Sequence, residues 1–354
     1  MDIANLPKLN FLCFGVGAIG TYIGGSLALI GQRVVFLDRP DIAQEVRKNG
    51  LSLQLHGEER KVPEPEIAVS IDEALQRGPF DVAIIAVKSF DTQGLLETLK
   101  PYSIALPPFL CLQNGVENEA LIAAVLGEEK VIAGSVTTAI ARRGTGSIVL
   151  ERLRGIGVAS EHHLAQPLVA ILSAAGLRGQ LYEDPRAMKW SKMLTNLLGN
   201  ASSAILNLPP AKVFANPQAY ELEVRQIREA LRVMNAASIR VIDLPGTPVR
   251  TLASLMRLLP PGMSRPLAVQ FLGKGRGGKM PSFHIDLHSG RGKSEVDYLN
   301  GAVVRMGEQL KISTPVNRLL RDVLLELTNG EIPLDRYDNR PDLLLKRLEE
   351  GEPK

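Results

Sequence analysis

Residues 9–30 read LNFLCFGVGAIGTYIGGSLALI, and the order of three features in this stretch predicts the fold. An apolar, strand-like run leads directly into the glycine-rich GVGAIG at 15–20, and a helical run follows. A GxGxxG pattern alone is a weak signal, but strand, motif and helix in this order form a dinucleotide fingerprint. Gly15 allows the tight turn, Gly17 lets the backbone approach a pyrophosphate, and Gly20 lets the helix pack closely on the sheet. The helix N-terminus is then expected to face the phosphate charge.

The first half of the chain alternates strand-like and helical patterns, as a parallel sheet requires. The strand-like runs are LNFLCF (9–14), RVVFL (33–37), DVAIIAV (81–87) and PFLCLQN (108–114). A hairpin is predicted around HGEE at 56–59, and the β-branched, glycine-rich stretch 131–159 predicts further strands. Helical patterns follow from about Pro185 onward, at 186–206, 217–241, 293–311 and 314–328. The sequence therefore predicts an α/β protein with two domains. Residues 1–185 should form an N-terminal Rossmann-type dinucleotide-binding domain, and residues 186–354 an all-helical C-terminal domain for substrate binding and catalysis.

Composition narrows the class of protein. A chain of 354 residues suggests about two domains, and 45% hydrophobic with 22% charged residues is typical of a globular protein. The apolar runs are too short for a membrane span, and MDIANLPKLN at the start lacks the features of a signal peptide, so no membrane partner and a cytoplasmic location are predicted. Cys13 and Cys111 lie in strand-like runs, which favours buried reduced thiols over a disulfide or a metal ligand.

The charge balance bears on the partner. A net charge of +3 without a long basic run interleaved with aromatic residues argues against nucleic acid and suits a small anionic ligand. The sequence does not fix the oligomeric state, and a homodimer is one assembly that it allows.

Two Gly- and Pro-rich stretches in the second half are predicted as loops. They are LPPGMSRP (259–266) and GKGRGGKMPS (273–282), and the second carries Lys274, Arg276 and Lys279. A solvated loop is the simpler interpretation of the second stretch, and a lid over a ligand is the alternative. The polar tail from Pro333 onward is expected to fray in part.

The stretch MKWSKMLTNLLGN at 188–200 has the apolar spacing of a buried helix. Lys192, Asn196 and Asn200 follow at intervals of four, which would place them along one stripe. A solvated helix face is one interpretation. Asparagine suits a solvated helix poorly, however, and the stripe carries no acid. One lysine and two amides instead suit a small ligand rich in carbonyl, carboxylate and hydroxyl oxygens.

Asp38 and Arg39 follow the second predicted strand, and they point to different cofactors. An acid at this position accepts hydrogen bonds from the adenosine ribose and repels a 2′-phosphate, whereas an arginine binds that phosphate. The two residues therefore leave the choice between NADP and NAD open.

Several segments, in this order along residues 9–330, together resemble the ketopantoate reductase (2-dehydropantoate 2-reductase) family. They are GVGAIGTYIGG (15–25), AVKSFDT (86–92), LQNGVENE (112–119), KWSKMLTNLLGN (189–200) and PSFHIDLHSGRGKSEVDYLNGAVV (281–304), followed by STPVN (313–317). The resemblance implies reduction of the keto group of 2-dehydropantoate to pantoate, on the route to pantothenate and coenzyme A. It implies NADPH as the cofactor and a small anionic 2-oxo acid as the substrate.

Roles carried over from that family fall on matching positions here. The implied cofactor-binding residues are Gly15, Val16, Gly17, Ala18, Ile19, Gly20, Arg39, Lys88, Asn114, Ala141 and Glu295. The implied substrate-binding residues are Lys192, Asn196, Asn200, Ser282 and Asn114. Lys192 would be the catalytic proton donor, and Glu295 a catalytic partner that reaches toward it. No metal is implied.

The sequence also departs from the family pattern. Pro210 stands where the family often has an asparagine, the segment between Asp286 and Glu295 is one residue longer than in some members, and the 244–280 region is expanded. These departures leave two alternatives. One is an NAD-preferring dehydrogenase of other 2-oxo or D-2-hydroxy acids, and the other is a sensor of nicotinamide nucleotides without chemistry. A sensor would not need both a lysine and an acid, such as Lys192 and Glu295.

Overall fold

The structure is a computed structural model that describes residues 6–270 and 278–351. It divides into two compact units. The first comprises Met1–Lys189 with Leu244–Thr247, and the second comprises Trp190–Asp243 with Pro248–Lys354. The division therefore lies inside a helix, α7 (Pro185–Leu197), rather than in a linker.

An eight-stranded sheet forms the centre of the first unit, with the order β12-β11-β8-β7-β6-β1-β2-β5. Its strands are β1 (Asn10–Phe14), β2 (Arg33–Leu37), β5 (Glu66–Ala68), β6 (Val82–Ile85), β7 (Phe109–Cys111), β8 (Val131–Val136), β11 (Ile156–Ala159) and β12 (Gly179–Tyr182). The strands from β5 to β8 are all parallel, whereas β11 runs antiparallel to β8. Numbered along the chain, these parallel strands have the 3-2-1-4-5-6 order of a Rossmann sheet, which confirms the predicted fold class.

A second sheet has four strands in the order β4-β3-β10-β9. The sequence did not predict that these strands pair in a separate sheet. Its strands are β3 (Leu51–Leu55), β4 (Glu58–Val62), β9 (Ala139–Gly144) and β10 (Ser147–Arg152). The predicted hairpin is present as β3 and β4, but its turn is tighter than HGEE. His56 and Gly57 make the turn with φ of 52° and 86°, the positive values that a two-residue hairpin turn requires.

Helices surround these sheets. The further helices of the first unit are α1 (Ala18–Leu29), α2 (Pro40–Asn49), α3 (Ile71–Gln76), α4 (Thr92–Leu99), α5 (Asn118–Leu126) and α6 (Ala165–Ala174). Helix α1 packs against β2 of the large sheet and against the strands of the second sheet. Two glycines allow this, because a Cβ on Gly24 would lie 2.6 Å from Phe36 Cε1 and one on Gly25 would lie 2.9 Å from Leu53 Cδ1.

Along each parallel strand, successive buried residues belong alternately to two hydrophobic clusters, one on each face of the sheet. On β1, Phe11 and Cys13 belong to one cluster, while Leu12 and Phe14 belong to the other. This is the pattern of a sheet whose two faces are both covered. Both cysteines of the chain are free and buried, as predicted, and burial raises the pKa of Cys13 to about 12.

The described part of the second unit contains helices and no named strand. They are the C-terminal part of α7, α8 (Ala201–Leu206), α9 (Pro210–Ala215), α10 (Pro217–Ala236), α11 (Val249–Leu258), α12 (Pro261–Ala268), α13 (Ser282–Leu287), α14 (Val296–Leu310), α15 (Pro315–Asn329) and α16 (Pro341–Gly351). This confirms the predicted all-helical region. Within residues 6–270 and 278–351, no helix is long and apolar enough to span a membrane.

Helix α7 ends earlier than predicted, which changes the stripe. Gly199 has a φ of +56°, and the chain bends there so that Asn200 becomes the N-cap of α8. Glu223 of α10 holds the bend, because its carboxylate accepts from Gly199 N (2.7 Å) and from the hydroxyl of Ser202. The prediction that Asn200 shares one helix with Lys192 is therefore wrong, and this helix carries only Lys192 and Asn196.

Two segments predicted to be irregular are helical. LPPGMSRP was predicted as a loop, but Pro261 begins α12, where a helix does not need the N–H that proline lacks. The hydroxyl of Ser264 is 3.0 Å from that of Tyr220, which ties α12 to α10. Helix α16 covers half of the tail, and it buries Leu344 and Leu348. Lys274 and Arg276 of the predicted lid lie outside the described residues.

Candidate active site

The glycine-rich turn has the geometry of a phosphate-binding turn. Gly15 has a φ of +95°, and its N–H donates to Leu37 O at 2.9 Å. A Cβ on Gly20 would lie 2.0 Å from Gly15 O, so only glycine allows the turn to close on the helix. At Gly17 a Cβ would meet nothing within 4 Å, which leaves open space on the outer side of the turn.

The first turn of α1 offers donors to an anion. Gly17 is the N-cap, and no side chain accepts a hydrogen bond there. The first peptide N–H groups of a helix have no partner inside it, and the helix dipole adds positive potential at the same end. Ala18, Ile19 and Gly20 lie in this first turn, and Val16 precedes it. These residues could hold a pyrophosphate.

Asp38 supports the turn from the end of β2. Its Oδ2 accepts from Val16 N at 2.7 Å, and its Oδ1 accepts from Arg39 N at 2.8 Å. Both carboxylate oxygens therefore already hold backbone N–H groups. The Arg39 side chain is 74% exposed, with its guanidinium 3.4 Å from the carboxylate of Asp41. An exposed guanidinium in so weak a pair remains available to a phosphate.

Lys88 and Asn114 follow neighbouring parallel strands, β6 and β7, so they lie at the same edge of the sheet as Gly15. The Ser89 hydroxyl donates to Asn114 O at 2.9 Å, and Asn118 Nδ2 donates to the same oxygen at 2.6 Å. These bonds bring the segments of Lys88 and Asn114 together. Ala141 is placed differently, in β9 of the second sheet.

A buried lysine that sequence reasoning missed supports this edge. Lys189 is 6% exposed, and its Nζ lies 2.7 Å from Glu119 Oε1. The same Nζ donates to Gln113 O at 2.8 Å and to Gly134 O at 3.3 Å. Burial acts to lower the pKa of Lys189, but the Glu119 carboxylate outweighs it, and the pKa is raised. The ammonium thus fixes the peptide unit just before Asn114.

Two predicted substrate-binding residues meet in the second unit, although they are far apart in sequence. Asn200 Nδ2 lies 3.5 Å from Ser282 Oγ, and Asn200 Oδ1 accepts from Phe283 N at 3.1 Å. Asn200 therefore positions the start of α13 as well as presenting an amide beside a hydroxyl. Only 5% of Asn200 is exposed, so water competes little for these groups.

The other predicted residues of this unit lie on two helices. Lys192 and Asn196 are half-buried on α7. Glu295 is 2% exposed and is the N-cap residue of α14. A carboxylate at a helix N-terminus is favourably placed against the dipole. The expected approach of Glu295 to Lys192 stays a prediction.

Buried polar groups on α10 form a second set that the sequence did not reveal. Glu229 accepts from Val316 N and Asn317 N, both at 2.9 Å, and burial raises its pKa despite these bonds. Glu223 thus anchors the bend between Lys192 and Asn200, and Glu229 anchors the start of α15. Acids in a helical pattern predict a solvated face, and only their burial distinguishes them. Among the described residues, no group of three or more His, Cys, Asp or Glu could hold a metal ion.

Comparisons with known proteins agree with this architecture. Residues 11–160 match the family model described as Ketopantoate reductase PanE/ApbA, and residues 184–328 match its C-terminal counterpart. A 2-dehydropantoate 2-reductase of Archaeoglobus fulgidus is 26% identical over 327 residues, 89% of this chain and 97% of that protein. A PanE/ApbA family ketopantoate reductase from Ralstonia eutropha JMP134 is 27% identical with a TM-score of 0.76, covering 91% of this chain and 99% of that one. The structure of D-mandelate dehydrogenase with NADH and anilino(oxo)acetate has a TM-score of 0.72, covering 90% and 99% of the two chains, and at 20% identity it shows the fold alone.

Proposed function

Because the chain belongs to the ketopantoate reductase family, we propose that it is a 2-dehydropantoate 2-reductase that reduces ketopantoate to pantoate with NADPH. The family makes it an NAD(P)-dependent oxidoreductase acting on a CH–OH group. Its two buried free thiols suit a reducing compartment, and we place the enzyme in the cytoplasm.

The chemistry needs a proton donor at the carbonyl oxygen. When bound at the glycine-rich turn, NADPH would supply a hydride for the keto carbon, and negative charge would then develop on the carbonyl oxygen. Lys192 donates a hydrogen bond to that oxygen and then a proton, so that the product is an alcohol and the lysine is left neutral. A cation that meets charge developing on oxygen stabilises the transition state more than the ground state.

One observation carries the substrate assignment. The Asn200 amide and the Ser282 hydroxyl, from motifs 82 positions apart, converge at 3.5 Å in the second unit. An amide and a hydroxyl side by side match a substrate with carboxylate, carbonyl and hydroxyl oxygens, as ketopantoate has. Asn196, one turn after Lys192 on α7, adds a further amide for orientation.

The preference for NADPH rests on Asp38 and Arg39. The carboxylate of Asp38 accepts a hydrogen bond from Val16 N, and this structural role explains an acid at position 38. An acid here therefore does not by itself indicate a contact with the adenosine ribose. Arg39 has an exposed guanidinium with one weak ion pair and is suited to a 2′-phosphate.

Initial rates with ketopantoate and a panel of other 2-oxo acids, each with NADPH and NADH, test the proposal. Ketopantoate with NADPH should give the highest kcat/KM. Lys192→Ala should lower kcat by about 10²–10⁴ while cofactor affinity and folding stay normal. Lys212→Ala, a change of an exposed lysine on α9 in the same unit, is the matched control and should leave kcat unchanged. A Lys192→Ala enzyme that is folded, binds cofactor and turns over normally would disprove the assignment.

Pro210 favours one alternative substrate class. Its Cβ would be 3.2 Å from a Cβ on Gly199, so an apolar ring packs beside the bend that precedes Asn200. A proline where the family often has an asparagine removes a hydrogen-bonding group and suits a bulkier, less polar 2-oxo acid. If such an acid with NADH gave the highest kcat/KM, the chain would be a dehydrogenase of that class.

A further inference from the structure

A groove in the second unit lies outside the candidate active site. One cavity of about 680 Å³ and another of about 440 Å³ share Leu231, Asn235 and Arg257 in their walls, so they form one continuous groove. Helices α10 and α11 and the segment 238–241 provide its lining. None of the predicted catalytic or binding residues lines it. Each of the two cavities has the volume of a small-molecule site, which spans roughly 300–1,000 Å³.

The lining of this groove carries positive charge only. It includes five arginines and no aspartate or glutamate: Arg228, Arg232, Arg240, Arg250 and Arg257. Elsewhere on the surface, exposed arginines pair with acids, as Arg225 does with Glu221 and Arg318 with Glu308. In the groove, Arg250 pairs with Asp243 at 2.8 Å. Asp243 compensates Arg250, and the lining as a whole keeps a positive potential that attracts an anion.

Three of these arginines form no ion pair among the residues that the structure describes. Arg228 donates to Met256 O at 2.9 Å and to Leu259 O at 2.8 Å, and Arg232 donates to Ser313 O at 3.3 Å. Carbonyl oxygens orient a guanidinium without cancelling its charge. Glu229 accepts from the backbone of Val316 and Asn317, and the positive charge of Arg232 partly offsets the rise that burial gives the pKa of Glu229.

Arg257 is the most available of these groups. It is exposed on the last turn of α11 and lines both cavities, and its side chain has no hydrogen-bond or ion-pair partner within residues 6–270 and 278–351. The planar guanidinium presents parallel N–H donors that match phosphate oxygens.

The lining also contains apolar side chains, next to the polar Asn235, Ser238 and Ser254. Met234, Ile239 and Ala253 are buried to 1%, 6% and 7% exposure, next to the arginines. We propose that this groove binds a small organic anion of the phosphate class, with its phosphate on Arg232 and Arg257 and an apolar portion on this floor. The site goes beyond the proposed reductase function and does not depend on which 2-oxo acid is reduced.

Isothermal titration calorimetry of the full chain, saturated with NADP⁺ to occupy the glycine-rich turn, tests the site with two probes. Hexyl phosphate carries both the anion and the apolar portion, and inorganic phosphate carries the anion alone. Hexyl phosphate should bind more tightly than inorganic phosphate, and added salt should weaken both, because the attraction is electrostatic. Arg257→Gln should weaken hexyl phosphate by roughly tenfold or more, and Arg257→Gln with Arg232→Gln by more again.

Arg225→Gln is the matched control, because it removes an arginine of α10 that lines neither cavity. It should leave the affinity for hexyl phosphate unchanged. No measurable binding to the NADP⁺-saturated protein would overturn the proposal. Equal weakening by Arg225→Gln and Arg257→Gln would also overturn it, since binding would then follow net charge and not the groove. Neither result would bear on reductase activity, which is measured separately.

Discussion

Replacing Lys189 by methionine should destabilise the protein by about 3 kcal/mol. Methionine keeps most of the unbranched apolar stem and removes the ammonium, so Glu119 loses its partner and two carbonyl oxygens lose a donor. Removing one member of a buried ion pair costs about 3–5 kcal/mol. The Glu119 side chain is 17% exposed, and water can partly solvate the carboxylate left behind. We therefore expect the lower end of that range.

Urea denaturation measures this loss. Trp190, the only tryptophan in the chain, follows Lys189 directly and is 3% exposed, so its fluorescence should change on unfolding. Far-UV circular dichroism recorded in parallel detects any separate transition of one unit. Lys100→Met, a change of an exposed lysine in the first unit, is the control and should lie within about 0.5 kcal/mol of the wild type.

A second substitution separates the charge from the packing. Lys189→Met with Glu119→Met removes both charges, and such apolar replacements of buried ion pairs are often neutral. The double variant should recover most of the stability that the single variant loses. A single variant within 1 kcal/mol of the wild type, or a double variant no more stable than the single one, would refute the buried-pair reasoning.

The same pair sets a pH window. The folded-state pKa of Lys189 is raised, so its stabilisation is fully present below the unfolded-state pKa of about 10.4. That stabilisation is lost only as the pH rises through the folded-state value. The stability difference between wild type and Lys189→Met should therefore be constant from neutral pH to about pH 9.

Four further outcomes are expected. Arg39→Ala should weaken NADPH binding by roughly tenfold or more and leave NADH nearly unchanged in fluorescence titrations, whereas equal losses would remove Arg39 from phosphate recognition. Glu295→Ala should lower kcat, and in combination with Lys192→Ala its effect should be far from additive in steady-state kinetics, because the two act as a unit. Asn200→Ala should raise the KM for ketopantoate several-fold, and an unchanged KM would place its amide outside the substrate site. Glu223→Ala should lower stability in urea by about 1–3 kcal/mol, because the buried N–H of the bend loses its acceptor, and a change within 0.5 kcal/mol would contradict that role.

The dinucleotide-binding half could be predicted because its signals are local. A strand, GVGAIG and a helix lie within residues 9–30, and the positive φ of Gly15 and the close contact at Gly20 agree with the turn that the motif predicts. The parallel strands likewise show as short apolar runs, since a sheet covered on both faces buries every side chain. The hairpin and the strands of 131–159 were also predicted, but their pairing into a second sheet was not, because β3 pairs with β10 across about a hundred residues.

Local sequence patterns gave wrong predictions where a contact with a residue distant in sequence determines the backbone conformation. LPPGMSRP has the composition of a loop, yet Ser264 and Ala268 are buried and the segment is helical. The stripe of Lys192, Asn196 and Asn200 follows helical spacing, but Gly199 bends the chain, and the carboxylate of Glu223 that accepts its N–H comes from another helix. Helical periodicity cannot indicate such a bend, because it depends on a contact between residues far apart in sequence.

The two lysines of KWSKMLTN show how burial bears on the candidate mechanism. Lys189 and Lys192 are three positions apart, on adjacent turns of one helix, and their sequence context alone makes either a candidate acid. The Lys189 ammonium is enclosed by Glu119 and two carbonyl oxygens, and its raised pKa means that it holds its proton. A general acid must release its proton during each turnover, which a lysine held in this way does poorly. Lys192 is only half-buried, so of the two it is the one whose side chain keeps surface that a ligand can contact. Under the proposed mechanism the two lysines would therefore have separate roles, with Lys189 fixing the backbone beside Asn114 and Lys192 donating the proton.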